Sequence, residues 1–130
     1  MSKKTEEVQV TWEDQQNINT FSKLNMRRHD LQSLIAAAKK RLEDLDDAGA
    51  ELVLADDGDG DDGCVRMLVG AAFLHTPKDD AEAEVERAAE EERARLAKLE
   101  EEQSGIEARL AELKVILYGR LGSGNINLEE

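Results

Sequence analysis

The residues in this chain that could do chemistry are an aspartate run, two histidines, one cysteine and two aromatic groups near predicted helix ends. Asp56-Asp57-Gly58-Asp59-Gly60-Asp61-Asp62-Gly63 has the acid density of a calcium loop. An EF-hand starting at Asp57 needs glycine at its sixth position and a carboxylate at its twelfth, and these fall on Asp62 and Leu68. The run therefore reads as a solvated linker. His29 and His75 each lack a second His or Cys at metal-ligand spacing. Cys64 has neither a nearby His nor a CxxC partner, so it reads as a buried or interface thiol rather than a nucleophile. No convergent acid, base and nucleophile can be named, and the chain is expected to be no enzyme and to need no cofactor or metal. What remains is non-covalent: Trp12 and Tyr118 can either staple a helical end shut or present an apolar face to a partner.

Composition narrows the partners. A net charge of -13 opposes binding to nucleic acid, because phosphate contacts are driven by counterion release when Lys and Arg cover the backbone. The same sign disfavours anionic lipid. No apolar run approaches the roughly 20 residues of a membrane-spanning helix, and the first residues lack the apolar stretch of a secretory signal. One cysteine permits no internal disulfide, which suits a reducing compartment, so a cytoplasmic location is expected. Aromatic residues are only 3% of the chain while 36% is charged, too lean for a compact core but well suited to long helices.

The elements follow from periodicity. Thr11-Trp12-Glu13-Asp14 supplies a capping hydroxyl and two carboxylates for a helix start near Trp12. From there Phe21, Leu24, Arg28, Leu31, Ile35, Ala38, Leu42, Leu45, Gly49 and Leu52 alternate in steps of three and four, a coiled-coil seam. The aspartate run stops this helix. Val65-Arg66-Met67-Leu68-Val69 and Ala72-Phe73-Leu74-His75 then read as a β-hairpin turning at Gly70-Ala71. Thr76-Pro77-Lys78-Asp79 marks a second helix beginning at Pro77, with capping Thr and a proline in the first turn. Its seam is Val85, Ala89, Glu92, Leu96, Leu99, Gln103, Ile106, Leu110, Leu113 and Leu117.

The expected architecture is a single domain over 1-130: helix about 12-55, acidic loop 56-63, β-hairpin about 64-75, helix about 77-120 and tail 121-130. The fold class is mainly α with a small β-hairpin, the two helices pairing as a long antiparallel coiled coil. Each helix of about 43 residues measures roughly 65 Å at 1.5 Å per residue. Placing Leu45 opposite Ala89 brings Ile35 opposite Leu99, Leu24 opposite Leu110 and Phe21 opposite Leu113, with both seams in phase. Arg28, Ile106 and Gln103 then meet, a polar interruption that can fix alignment. Both termini are expected at one end and the hairpin at the other.

Two surfaces are left to explain. A two-stranded hairpin has unsatisfied edges and needs neighbours, so Val65, Met67, Leu68, Val69, Ala72, Phe73 and Leu74 are the expected subunit interface. At the other end Val8, Val10, Trp12, Ile18, Phe21, Leu117, Tyr118, Leu121, Ile126 and Leu128 are the expected partner-binding tip, since apolar groups on frayed helix ends adapt to many partners.

Several segments carry a resemblance. Val10-Thr11-Trp12-Glu13-Asp14-Gln15-Gln16-Asn17-Ile18-Asn19-Thr20-Phe21, Leu54-Ala55-Asp56-Asp57, Val69-Gly70-Ala71-Ala72-Phe73-Leu74-His75, and the stretch from Leu113 through Leu117-Tyr118-Gly119-Arg120-Leu121 to Ile126-Asn127-Leu128-Glu129 resemble the β-type subunits of the prefoldin family. The Gly/Asp run at 58-63 looks expanded and Gly124 looks inserted relative to that pattern. The resemblance implies a heterohexamer of α- and β-type prefoldin subunits built on an inter-subunit β-barrel. It also implies ATP-independent holding of unfolded or nascent proteins such as actin and tubulin, and their delivery to the cytosolic group II chaperonin. The alternative is a structural or adaptor coiled coil binding a folded partner, which explains the seams but leaves the hairpin without a role.

Overall fold

The computed structural model describes residues 9-54, 64-69 and 72-129, with side chains placed for 9-54 and 77-129. Val8, the acidic loop expected at 56-63 and the turn expected at Gly70-Ala71 lie outside the described residues. The element order is α1 (Trp12–Leu54), β1 (Cys64–Val69), β2 (Ala72–Pro77) and α2 (Lys78–Leu121).

Both helices are built from residues that lose little freedom on becoming helical, and neither contains proline. Glu13 and Asp14 occupy the first turn of α1, and Asp79 and Asp80 that of α2, each facing the positive end of the helix dipole. Arg120 in the last turn of α2 complements the negative end. The expected start of α2 at Pro77 shifts by one residue: Pro77 closes strand β2 opposite Cys64, and the helix opens at Lys78. A strand terminus tolerates a residue with no N–H, so the proline serves as the junction instead of the first helical position.

The chain divides into two compact units. The first comprises residues 1-33 and 100-130, the second Leu34–Leu99. In the first, Phe21 and Leu31 of α1 and Ile106, Leu110, Leu113, Leu117 and Leu121 of α2 are buried, joined by Leu128 of the tail. Leu31, Leu110, Leu113 and Leu117 are fully enclosed, each stabilising the unit by roughly 1.5–3 kcal/mol through removal of apolar surface from water. Among the described side chains of the second unit the buried apolar residues are Ile35, Ala38, Ala81 and Ala89, three of the four being alanine. The second unit also holds β1 and β2, which pair antiparallel in the register Val65↔Thr76, Met67↔Leu74, Leu68↔Phe73 and Val69↔Ala72.

Every seam position named from periodicity, from Phe21 to Leu52 and from Val85 to Leu117, is buried or half-buried. The cross-helix offset follows the register set by Leu45 opposite Ala89. In the first unit Asp14 meets Arg120, and in the second a methyl placed on Gly49 would lie 3.7 Å from Val85 Cγ1. Both pairs sit at that same offset.

Two polar seam residues, Glu92 and Arg28, have charged or polar partners. Glu92, buried in the second unit, lies 3.4 Å from both Arg41 Nε and Arg95 Nη1. Its seam position takes it out of water, and two guanidiniums replace the water it loses. Arg28 donates to Asn25 Oδ1 within α1 at 3.3 Å rather than bridging to Gln103. Arg27 makes the cross-helix link of this stretch, a two-pronged pair with Glu102 at 2.6 and 3.0 Å.

Candidate binding surfaces

The start of α1 is fixed by a reciprocal box. Asp14 N–H donates to Thr11 Oγ1 and Thr11 N–H donates to Asp14 Oδ2, both at 3.0 Å, while Gln15 N–H closes the first turn on Thr11 O. Asp14 is only 2% exposed, and Arg120 forks onto it: Nε reaches Oδ1 at 3.2 Å and Nη2 reaches Oδ2 at 2.8 Å. The Arg120 bonds, followed by the Thr11 N–H, hold the Asp14 carboxyl down to about 2 from its ordinary 3.8, and the same contact raises the Arg120 guanidinium. One carboxylate thus caps α1 and ties it to the last turn of α2. This link was not read from the sequence, although extending the seam register two turns past Phe21 places Asp14 opposite Arg120.

Trp12 follows the capping Thr11 directly. As the first helical residue it is outside the seam and 78% exposed, with Val10 two residues earlier at 53%. Ile116 and Val115 on α2 are exposed as well. The expected tip residues therefore separate into three groups. Val10 and Trp12 present surface, whereas Phe21, Leu117, Leu121 and Leu128 are interior and Ile18, Tyr118 and Ile126 are half-buried. Seam positions bury their own residues, so only those off the seam remain available to a partner.

The tail is not frayed. Gly122 adopts φ 81°, the left-handed cap that L side chains rarely take, and its N–H donates to Tyr118 O at 2.9 Å. Asn125 Nδ2 donates to the last helical carbonyl, Leu121 O, at 2.7 Å, and Asn125 N–H to Gly122 O at 3.1 Å. The chain then runs back so that Leu128 N–H donates to Tyr118 Oη at 3.3 Å and Asn25 Nδ2 donates to Glu129 O at 2.9 Å. Tyr118 is accordingly a staple for the tail.

The expected interface residues Val65, Met67, Leu68, Val69, Ala72, Phe73 and Leu74 all fall within the two paired strands. Among the described residues the sheet has two strands only, so each strand has one edge with no ladder partner there. Val53 and Leu54, at the end of α1 in the same unit, are exposed, and Val53 lines a groove of about 290 Å³ together with Leu45, Gly49, Val85 and Ala89. Periodicity passed over these two because they lie off the seam. Among the described residues no group of His, Cys, Asp and Glu could hold a metal ion, and no helix is long and apolar enough to cross a membrane.

Residues 15–124 match the prefoldin subunit family. The chain belongs to the prefoldin subunit family. Among its curated relatives, prefoldin subunit 4 of Saccharomyces cerevisiae is 40% identical over 121 residues, covering 93% of this chain and 90% of the relative. Prefoldin subunit 4 of Bos taurus and of Homo sapiens are each 37% identical over 124 residues, covering 95% of this chain and 90% of theirs. The prefoldin match embraces both seams and both strands, the parts of the chain that carry its helical pairing and its open edges.

Proposed function

We propose that this chain is a β-type subunit of a cytoplasmic prefoldin-type heterohexamer, which holds unfolded or nascent proteins without ATP. In that reading Cys64–Val69 and Ala72–Pro77 form a hairpin whose edges are completed by sister subunits in an inter-subunit β-barrel. The observation that carries the reading is the conjunction of a family match over residues 15–124 with a sheet that has two strands among the described residues, too small to persist without neighbours. Nascent actin and tubulin are the clients, and the cytosolic group II chaperonin receives them.

Client contact falls to the exposed apolar residues near the helix ends, Val10 and Trp12 of α1 with Ile116 of α2, with the half-buried Ile18, Tyr118 and Ile126 behind them. Phe21, Leu117, Leu121 and Leu128 hold that end together. Several such weak surfaces acting at once raise affinity through effective concentration, so one altered subunit weakens capture only in part.

The test is light scattering of a chemically denatured client with the complex reconstituted from this chain and its sister subunits. Val10→Ser with Trp12→Ser is expected to reduce suppression of aggregation while the mass of the complex is unchanged. Full suppression by the double variant removes the tip from the reading. Sedimentation decides between assembly and the adaptor alternative, since a stable homodimer that recruits no sister subunit favours the adaptor.

A further inference from the structure

The tail attachments share a chemical feature: the helix side chains that bind residues 128 and 129 read main-chain atoms, while the Glu129 carboxylate is held within the tail itself by Asn127 Nδ2 at 3.1 Å. Tyr118 Oη accepts the Leu128 N–H and Asn25 Nδ2 donates to the Glu129 carbonyl. One handle stands on α2 and the other on α1, both in the first unit. Between these attachments Leu128 is buried to 7% exposure, and Ile126, two residues earlier, is half-buried. An acceptor, a donor and an apolar berth constitute a site for extended polypeptide with alternate apolar residues. Nothing in the two main-chain bonds requires the sequence Ile126-Asn127-Leu128-Glu129.

We propose that this tail is a built-in, displaceable occupant of a site for extended apolar polypeptide, and that an unfolded segment takes its place on the Tyr118 and Asn25 handles. The inference rests on the holdase reading and deepens it, since it names where one client segment lies and what it must displace. The left-handed cap at Gly122 supplies the pivot. The tail folds back from there, and Asn125 Nδ2 stays on Leu121 O when the segment beyond it leaves. A site filled by its own chain about nine-tenths of the time shows a probe an affinity reduced about tenfold, so an empty chain keeps a shielded apolar berth and a client competes for it.

The experiment uses a fluorescent peptide of residues 122-130 and this chain shortened to residue 125, which keeps the Asn125 cap, assembled with its sister subunits. The peptide is expected to bind the shortened form, to bind the full chain on the order of tenfold more weakly, and to be displaced by reduced, carboxymethylated protein that cannot fold. Leu128→Asp, which keeps the chain length, is expected to behave like the shortened form and repeats the measurement should truncation unfold the coil; circular dichroism checks both. Equal peptide binding to full and shortened chains overturns the proposal. So does peptide that binds the shortened form and is not displaced by unfolded protein. Neither result touches the Val10 and Trp12 scattering test, so the holdase reading stands or falls separately.

Discussion

Asp14 shows how much one side chain can carry. Its two oxygens accept the Thr11 N–H and both prongs of Arg120, and almost none of it meets water. Its folded pKa of about 2 lies below the ordinary 3.8, so the stabilisation it brings is complete above the ordinary value and is lost as pH falls toward 2. Thermal melts followed at 222 nm are expected to show Tm declining between about pH 5 and pH 2. Asp14→Asn should start lower at neutral pH and decline less over that window, so the gap between the two proteins narrows in acid. Parallel curves would assign the acid sensitivity elsewhere. Thr11→Ala removes the other half of the box and is expected to cost about 1 kcal/mol in denaturant unfolding, with a somewhat weaker acid dependence because the Thr11 hydroxyl also helps hold the Asp14 carboxyl down.

For the helices, the steps of three and four were enough to locate the seams and their pairing, because burial of Leu and Ile at that spacing leaves a periodic trace in the sequence. Features that pair a side chain with the main chain leave no such trace. Asn25 with the Glu129 carbonyl and Tyr118 with the Leu128 N–H could be found only from the folded chain. Asp14 and Arg120 were hidden for another reason, since charged residues at seam positions look like the end of a seam rather than its closure. The start of α2 moved from Pro77 to Lys78 because a proline suits both a helical first turn and a strand end, and the sequence does not choose between them. The seams themselves make two quantitative expectations. Leu110→Ala, at a fully enclosed position, should destabilise the fold by about 2–5 kcal/mol. Gly105→Ala should stabilise it by about 0.5–1 kcal/mol, because a methyl there meets nothing within 4 Å and the helix interior gains backbone rigidity. Both are read from chemical denaturation, and a destabilising Gly105→Ala would mean that this face of α2 is covered in the assembled protein.

At the scale of the molecule the question is what the chain associates with. Identical chains each carrying -13 repel one another, and the repulsion reaches about 30 Å at 0.01 M salt but only about 8 Å at physiological strength. A homodimer of this chain should therefore tighten steeply with salt. Association through strand edges depends instead on main-chain hydrogen bonds, which proline interrupts. Met67 stands opposite Leu74 near the middle of the ladder, so Met67→Pro removes a donor and crowds the pairing at that point while leaving both helical seams intact. Mixed with sister subunits, the parent chain is expected to sediment as a high-mass assembly. Met67→Pro should remain at the mass of free chains with undiminished helical ellipticity at 222 nm. Assembly of the variant to the parent mass would move the interface off the strands and onto the helices, where exposed Val53 and Leu54 would be the first residues to replace.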